Sequence, residues 1–208
     1  MTSLRFTLLS EGSSDRALIP VLIWAIQQTA VDAVSPQWSE LRSLPNPPKS
    51  LADRVTVCLE QYPCDLLFVH RDADREDRET RIREIRAACA AHERPPAVCV
   101  VPVRTLEAWF LFNEPAIRRA AGNPNGKVSL ALPAWNRVEE VADPKQTLED
   151  VVRAASELPA KRRRRLDVKA AVHRIAELVD DFSPLRQLPA FRAFEAELAE
   201  ALQGLGSA

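Results

Sequence analysis

The stretch Asp65-Leu66-Leu67-Phe68-Val69-His70-Arg71 decides the fold. Four consecutive apolar residues, Leu66 to Val69, need burial on both faces, which is the condition of a strand inside a parallel sheet. The run gives way to Asp72-Ala73-Asp74 and then to a charged segment over residues 75–93. That segment reads as an amphipathic helix with Ile82, Ile85 and Ala88 inward. Residues 97–103 (AVCVVPV) form a second buried strand, followed by a helix over residues 105–113. Upstream, residues 49–62 read as a helix carrying Leu51, Val55, Cys58 and Leu59 on one face, closed by Pro63. A candidate strand over residues 37–44 ends at the cluster Pro45, Pro47 and Pro48. Residues 5–10 (RFTLLS) read as the first strand. Gly12 then permits a sharp turn, and Ser13 or Ser14 caps a helix reaching about Ala30.

The order over residues 1–115 is therefore β-α-β-α-β-α-β-α. Such alternation predicts an α/β fold with a mostly parallel, Rossmann-like sheet flanked by helices. Residues 116–208 predict a mainly helical extension packed on that core. Residues 122–133 read as a loop, and residues 147–157, 166–181 and 190–202 as helices.

Bulk properties narrow the function classes. The chain has 208 residues, 46% of them hydrophobic, enough for a real core. A net charge of -1 argues against a protein that coats nucleic acid through bulk positive charge. A nuclease stays allowed, because a metal can supply positive charge locally. The apolar runs are too short to span a membrane, and no basic region followed by an apolar one opens the chain. Cys58, Cys64, Cys89 and Cys99 include no Cys-x-x-Cys pair, so they are expected as reduced thiols in a cytoplasmic protein.

Ligands of open α/β sheets bind at the carboxyl ends of the strands. Glu11 follows the first strand, Asp72 and Asp74 follow the strong strand, and Glu107 opens the helix after the last. Residues two apart in an extended stretch point the same way, so Asp72 and Asp74 can face one cation. Magnesium prefers such hard oxygen ligands and takes one or two carboxylates. Each acid also has an ordinary reading as turn or helix-start chemistry. Glu76 and Asp77 are expected as solvated helix-start residues. It is the gathering at one edge that points to a metal.

These residues match a known pattern. Leu8-Leu9-Ser10-Glu11-Gly12-Ser13-Ser14-Asp15 resembles the first motif of TOPRIM domains, and Phe68-Val69-His70-Arg71-Asp72-Ala73-Asp74 resembles their Asp-x-Asp motif. Residues 101–111, with Glu107-Ala108-Trp109, are similar to a segment of a bacterial TOPRIM-like family of unknown function. Ala142-Asp143-Pro144-Lys145 and the terminal helix resemble that family too. The resemblance implies Mg²⁺ (or Mn²⁺) held by Asp72 and Asp74, with Glu11 as general acid/base or a further ligand. It implies Glu107 as an acidic position near the site and Asp15 as a position for a second metal, as in the overcoming-lysogenization-defect nucleases. Asn113 departs from the pattern, standing where the family often carries an acid. The implied function is a Mg-dependent nuclease, a phage-defence effector working with an ATPase. The alternatives are a non-catalytic partner module of such an ATPase complex and a phosphotransfer or nucleotide-processing enzyme.

Nucleic acid is the expected partner. Arg71 and His70 stand where phosphate contact is possible, although His70 suits packing in the sheet better. The run Lys161-Arg162-Arg163-Arg164-Arg165 is the densest positive patch, able to track a phosphate backbone or simply to lie solvated. Trp24 and Trp109 sit on apolar helical faces and are expected in the core. Trp38 and Trp135 lie in segments that do not decide their role.

Overall fold

In the computed structural model, residues 3–29, 31 and 33–206 are described. Four strands form one all-parallel sheet: β1 (Leu4–Leu9), β2 (Val34–Trp38), β3 (Leu66–His70) and β4 (Ala97–Val100). Their order is β2-β1-β3-β4. The stretch that decided the reading is one of the two central strands, and all five residues of β3 are buried.

Alternation along the strands divides the core into two layers. Phe6, Leu8, Leu66, Phe68, Val98 and Val100 belong to one cluster with the apolar face of α1 (Leu18–Gln27). Leu9, Leu67, Val69, Cys99 and Val101 belong to the other, with α2 (Leu51–Gln61) and α3 (Arg78–Cys89). The outcome is a three-layer α/β/α arrangement, as the alternating pattern requires. The expected end of the first helix, Ala30, lies outside the described residues.

The second strand differs from expectation. It lies at Val34–Trp38, not residues 37–44, and Pro36 sits in its middle opposite Phe6. Proline within a run normally argues against a strand, but an edge strand tolerates it. Ser39 prolongs the pairing by donating its N–H to the Leu8 carbonyl at 3.0 Å.

Residues 116–206 share the α1-side core instead of forming a core of their own. They supply the rest of α4 (Glu114–Ala120), then α5 (Pro144–Ala155), the short α6 (Ala160–Arg163), α7 (Val168–Leu178) and α8 (Pro189–Gly206). Trp109, Phe191, Phe194 and Phe68 make a chain of aromatic contacts, with centroids 5.1 Å apart for Trp109–Phe191 and 6.1 Å for Phe68–Phe194. Trp109 is fully buried, as expected, and Trp24 packs against Phe182 and Phe191. No helix among the described residues is long and apolar enough to cross a membrane.

Candidate functional site

The strand order sets the site. The chain leaves β1 toward β2 and leaves β3 toward β4, on opposite sides of the β1/β3 boundary. Such a reversal opens a crevice at the carboxyl ends of the two strands. Glu11 and Gly12 line it from β1, and Arg71 to Asp74 from β3.

Glu11 is half-buried and its Oε1 accepts from Arg71 Nε at 2.7 Å. The same guanidinium donates through Nη1 to Glu84 on α3. Arg71 thus ties the first acidic loop to α3, which is the local role of the side chain expected on phosphate.

Asp72 makes a different set of contacts. Its Oδ1 accepts the Leu106 backbone N–H at 2.9 Å and lies 3.4 Å from His70 Nε2. His70 is 2% exposed, and its Nδ1 meets the Val100 carbonyl at 2.9 Å. A carbonyl only accepts and a carboxylate only accepts, so both ring nitrogens face acceptors and the imidazolium satisfies both. Burial alone pulls the His70 pKa down. The Asp72 hydrogen bond and charge, the Asp15 charge and the Val100 carbonyl outweigh it and leave the pKa raised. His70 is therefore a packed strand-end residue, and it braces Asp72 from below.

The Asp-x-Asp motif does not keep extended geometry. Asp74 has φ 54°, in the left-handed region, and its side chain is exposed. Its N–H donates to the Arg104 carbonyl at 2.8 Å, and Arg104, itself at φ 66°, returns a bond from Nη1 to the Asp74 carbonyl at 3.2 Å. The simple alternation that was to aim Asp72 and Asp74 together therefore stops at Asp74. Two non-glycine residues in sparsely populated backbone conformations, facing each other, mark a place where surrounding structure over-determines the loop.

Asp15 is buried and already engaged. Its Oδ2 accepts the Gly12 N–H at 2.8 Å, and its Oδ1 accepts the Ser14 hydroxyl at 3.1 Å. It closes the turn after β1 through these two bonds. Asp15→Ala is expected to cost about 1 kcal/mol, the scale of a lost cap; urea unfolding measures it, and an unchanged midpoint would show that the turn holds without this bond.

Glu107 sits in a 3₁₀ turn at Leu106–Phe110, where a longer helix over residues 105–113 was expected. The turn ends early because Asn113 caps α4, its Oδ1 accepting the Ala116 N–H at 2.9 Å. Glu107 is 9% exposed. Burial pushes its pKa up, the Asp72 charge adds to this, and Thr105, its own backbone N–H and Lys145 oppose without cancelling it. The carboxyl lines a cavity of about 300 Å³ whose wall includes Gly12, Arg42, Lys145, Lys169 and His173. Arg42, Lys169 and His173 come from segments that carried no recognisable motif. Lys145 stands in the first turn of α5, which Asp143 caps.

The acids thus stay apart: Glu11 pairs with Arg71, Asp72 with His70, Asp15 closes its own turn, Asp74 is exposed, and Glu107 lies within reach of the Asp72 charge. Among the described residues, no three His, Cys, Asp or Glu side chains converge to hold a metal ion. Glu11 Oε2 and Asp72 Oδ2 nevertheless accept no hydrogen bond there. Each open oxygen offers the single-carboxylate contact that Mg²⁺ accepts when water and phosphate fill its remaining positions, not an all-protein cage. Arg162, Arg163 and Arg164 lie exposed in and just after α6, with no ion pair among the described residues. Compared with protein-family models, curated proteins and solved structures, the chain shows no match.

Proposed function

We propose that the chain is a Mg²⁺-dependent phosphodiesterase of the nuclease type, working in the cavity beside Glu107. The observation that carries this reading is a buried carboxyl with a raised pKa in a cavity walled by Arg42, Lys145 and Lys169. A carboxyl displaced toward neutral pH is suited to proton transfer, and the surrounding cations suit a phosphate. Asp72, Asp74 and Glu11, on the loops that follow β3 and β1 next to that cavity, would hold the ion; when bound, it polarises the phosphate and stabilises developing charge. Glu107 takes the proton of the attacking water or returns one to the leaving oxygen. His70 fixes the orientation of Asp72 through Nε2. Lys145 and Lys169 neutralise the phosphate oxygens. The TOPRIM resemblance, with its phage-defence setting and ATPase partner, agrees with this chemistry.

A second reading has its own support. Arg71 holds Glu11 through Oε1, as suits a scaffold that acts by binding a partner. Asp72→Asn separates the two. An asparagine can still accept the Leu106 N–H, so the variant is expected to fold. Cleavage of single-stranded and duplex oligonucleotides with Mg²⁺ or Mn²⁺ is expected to fall about 10²-fold or more, the scale of losing charge aimed at a reacting centre. Full activity in the folded variant would remove Asp72 from the chemistry. No cleavage by the wild type, alone or with a copurifying ATPase, would favour the scaffold.

A further inference from the structure

Three cavities meet around the turn at Gly12. The Glu107 cavity shares Gly12 and Arg42 with a second, of about 230 Å³, that extends toward β2 and α2. A third, of about 450 Å³, shares Trp38 and Glu40 with the second and Ser13 and His173 with the first. They form one depression along the carboxyl edge, with Arg42 at the junction of the first two.

Two cations of the second cavity, Arg42 and Lys49, have no acid partner among the described residues, whereas Arg54 is answered in part by the Glu11 and Asp15 charges. Arg42, Lys49 and Arg54 line it, against Glu11 and Glu40. Glu11 is taken by Arg71. Glu40 turns Oε1 toward the backbone N–H of Arg42 at 3.3 Å, leaving the guanidinium aside. The Arg42 and Lys49 side chains are exposed and form no ion pair among the described residues. Arg54 is half-buried and donates to the Ser10 carbonyl, which fixes its head group under the turn. Arg42 lies over Gly12: a Cβ built there would be 3.8 Å from Nη1. The chain as a whole has a net charge of -1, so this local excess is not a product of a basic surface.

Unanswered cations in a concavity continuous with a phosphodiester site call for an anion on the same ligand. We infer that Arg42, Lys49 and Arg54 form a phosphate subsite for the polynucleotide strand that flanks the scissile bond. The inference rests on reading the Glu107 cavity as the site of phosphodiester chemistry. A cavity of about 230 Å³ has room for one phosphate with its sugar.

The test is fluorescence anisotropy with a labelled single-stranded oligothymidylate in EDTA, where binding is read without cleavage. Wild type is compared with Arg42→Ala/Lys49→Ala and with Arg119→Ala/Lys127→Ala, which removes the same charge from exposed positions elsewhere. Circular dichroism confirms that each is folded. The first variant is expected to bind about tenfold more weakly or worse, with a salt slope shallower by roughly 1.4, as for two lost phosphate contacts on a single strand. The second is expected to bind like wild type. Equal weakening in both variants, an unchanged salt slope in the first, no binding by wild type, or binding of inorganic phosphate without the oligonucleotide would each overturn the subsite. A complex that depends on Arg42 and Lys49 but is never cleaved in Mg²⁺ supports the subsite and removes the phosphodiesterase reading. Cleavage with binding indifferent to Arg42 and Lys49 does the reverse.

Discussion

Phe191→Ala is expected to lower the unfolding free energy by about 3–5 kcal/mol, the range for emptying a buried aromatic position. Phe191 is fully buried and sits between Trp109 at 5.1 Å, Phe194 at 5.5 Å and Trp24 at 6.4 Å. These partners come from the 3₁₀ turn, α8 and α1, so the cavity left behind opens at a junction of three elements. Rigid ring neighbours restrict collapse into that cavity, which places the cost toward the upper end. The whole stability of a domain is only about 5–15 kcal/mol, so the variant approaches the limit of folding at physiological temperature. Urea unfolding at constant pH measures the loss. A cost under about 1 kcal/mol would mean that the C-terminal helix is not an integral part of the core. Because Trp109 lies two residues after Glu107, catalysis in this variant is expected to decline before the fold is lost.

Glu107→Gln is expected to move stability and activity in opposite directions. Activity falls by about 10²–10⁴-fold, the usual contribution of a positioned proton carrier. Stability at pH 8 rises by about 1 kcal/mol, as when a functional compromise is removed. The sign follows from the raised pKa of Glu107, caused first by burial and then by the Asp72 charge. A group whose folded pKa is raised contributes stability that is complete below its ordinary value, here 4.5. That contribution is lost as pH climbs through the folded value. The neutral amide does not titrate, so the difference in melting temperature between variant and wild type is expected to be largest at alkaline pH. It should shrink as pH falls toward 4.5. A difference that grows on acidification would show that Glu107 is stabilised as a carboxylate and is ill-suited to carry the proton.

The sheet was legible because Leu66 to Val69 leave few alternatives: four apolar residues in a row, bounded by Asp65 and His70, must be covered on both faces. The edge strand was not legible. Pro36 interrupts its pattern, and its pairing with β1 depends on partners some 30 residues away in sequence. The 3₁₀ turn that carries Glu107 was read as a longer helix, since no proline or glycine marks its end. Its actual start is fixed by a bond from Leu106 to Asp72, across 34 residues, which no local pattern reveals. The placement of Glu11, Asp72 and Asp74 just after strands could be read from the pattern alone. Their conditions could not, because Arg71 takes Glu11, Asp15 closes its own turn and Asp74 is left-handed only in the tertiary context. Arg42, Lys145, Lys169 and His173 enter from loops and helices brought together by the fold, so their meeting was beyond the reach of spacing.

Pro36 has a consequence for how this protein meets others. Ser39 and Ala33 pair inward with β1, so by alternation the nitrogen of Pro36 faces the open side of β2. That nitrogen has no hydrogen to donate. A foreign strand laid along this margin would find a gap in the middle of its ladder, which discourages sheet-to-sheet aggregation and runaway fibre growth. Proline at that position therefore makes β2 a poor edge for pairing with a foreign strand.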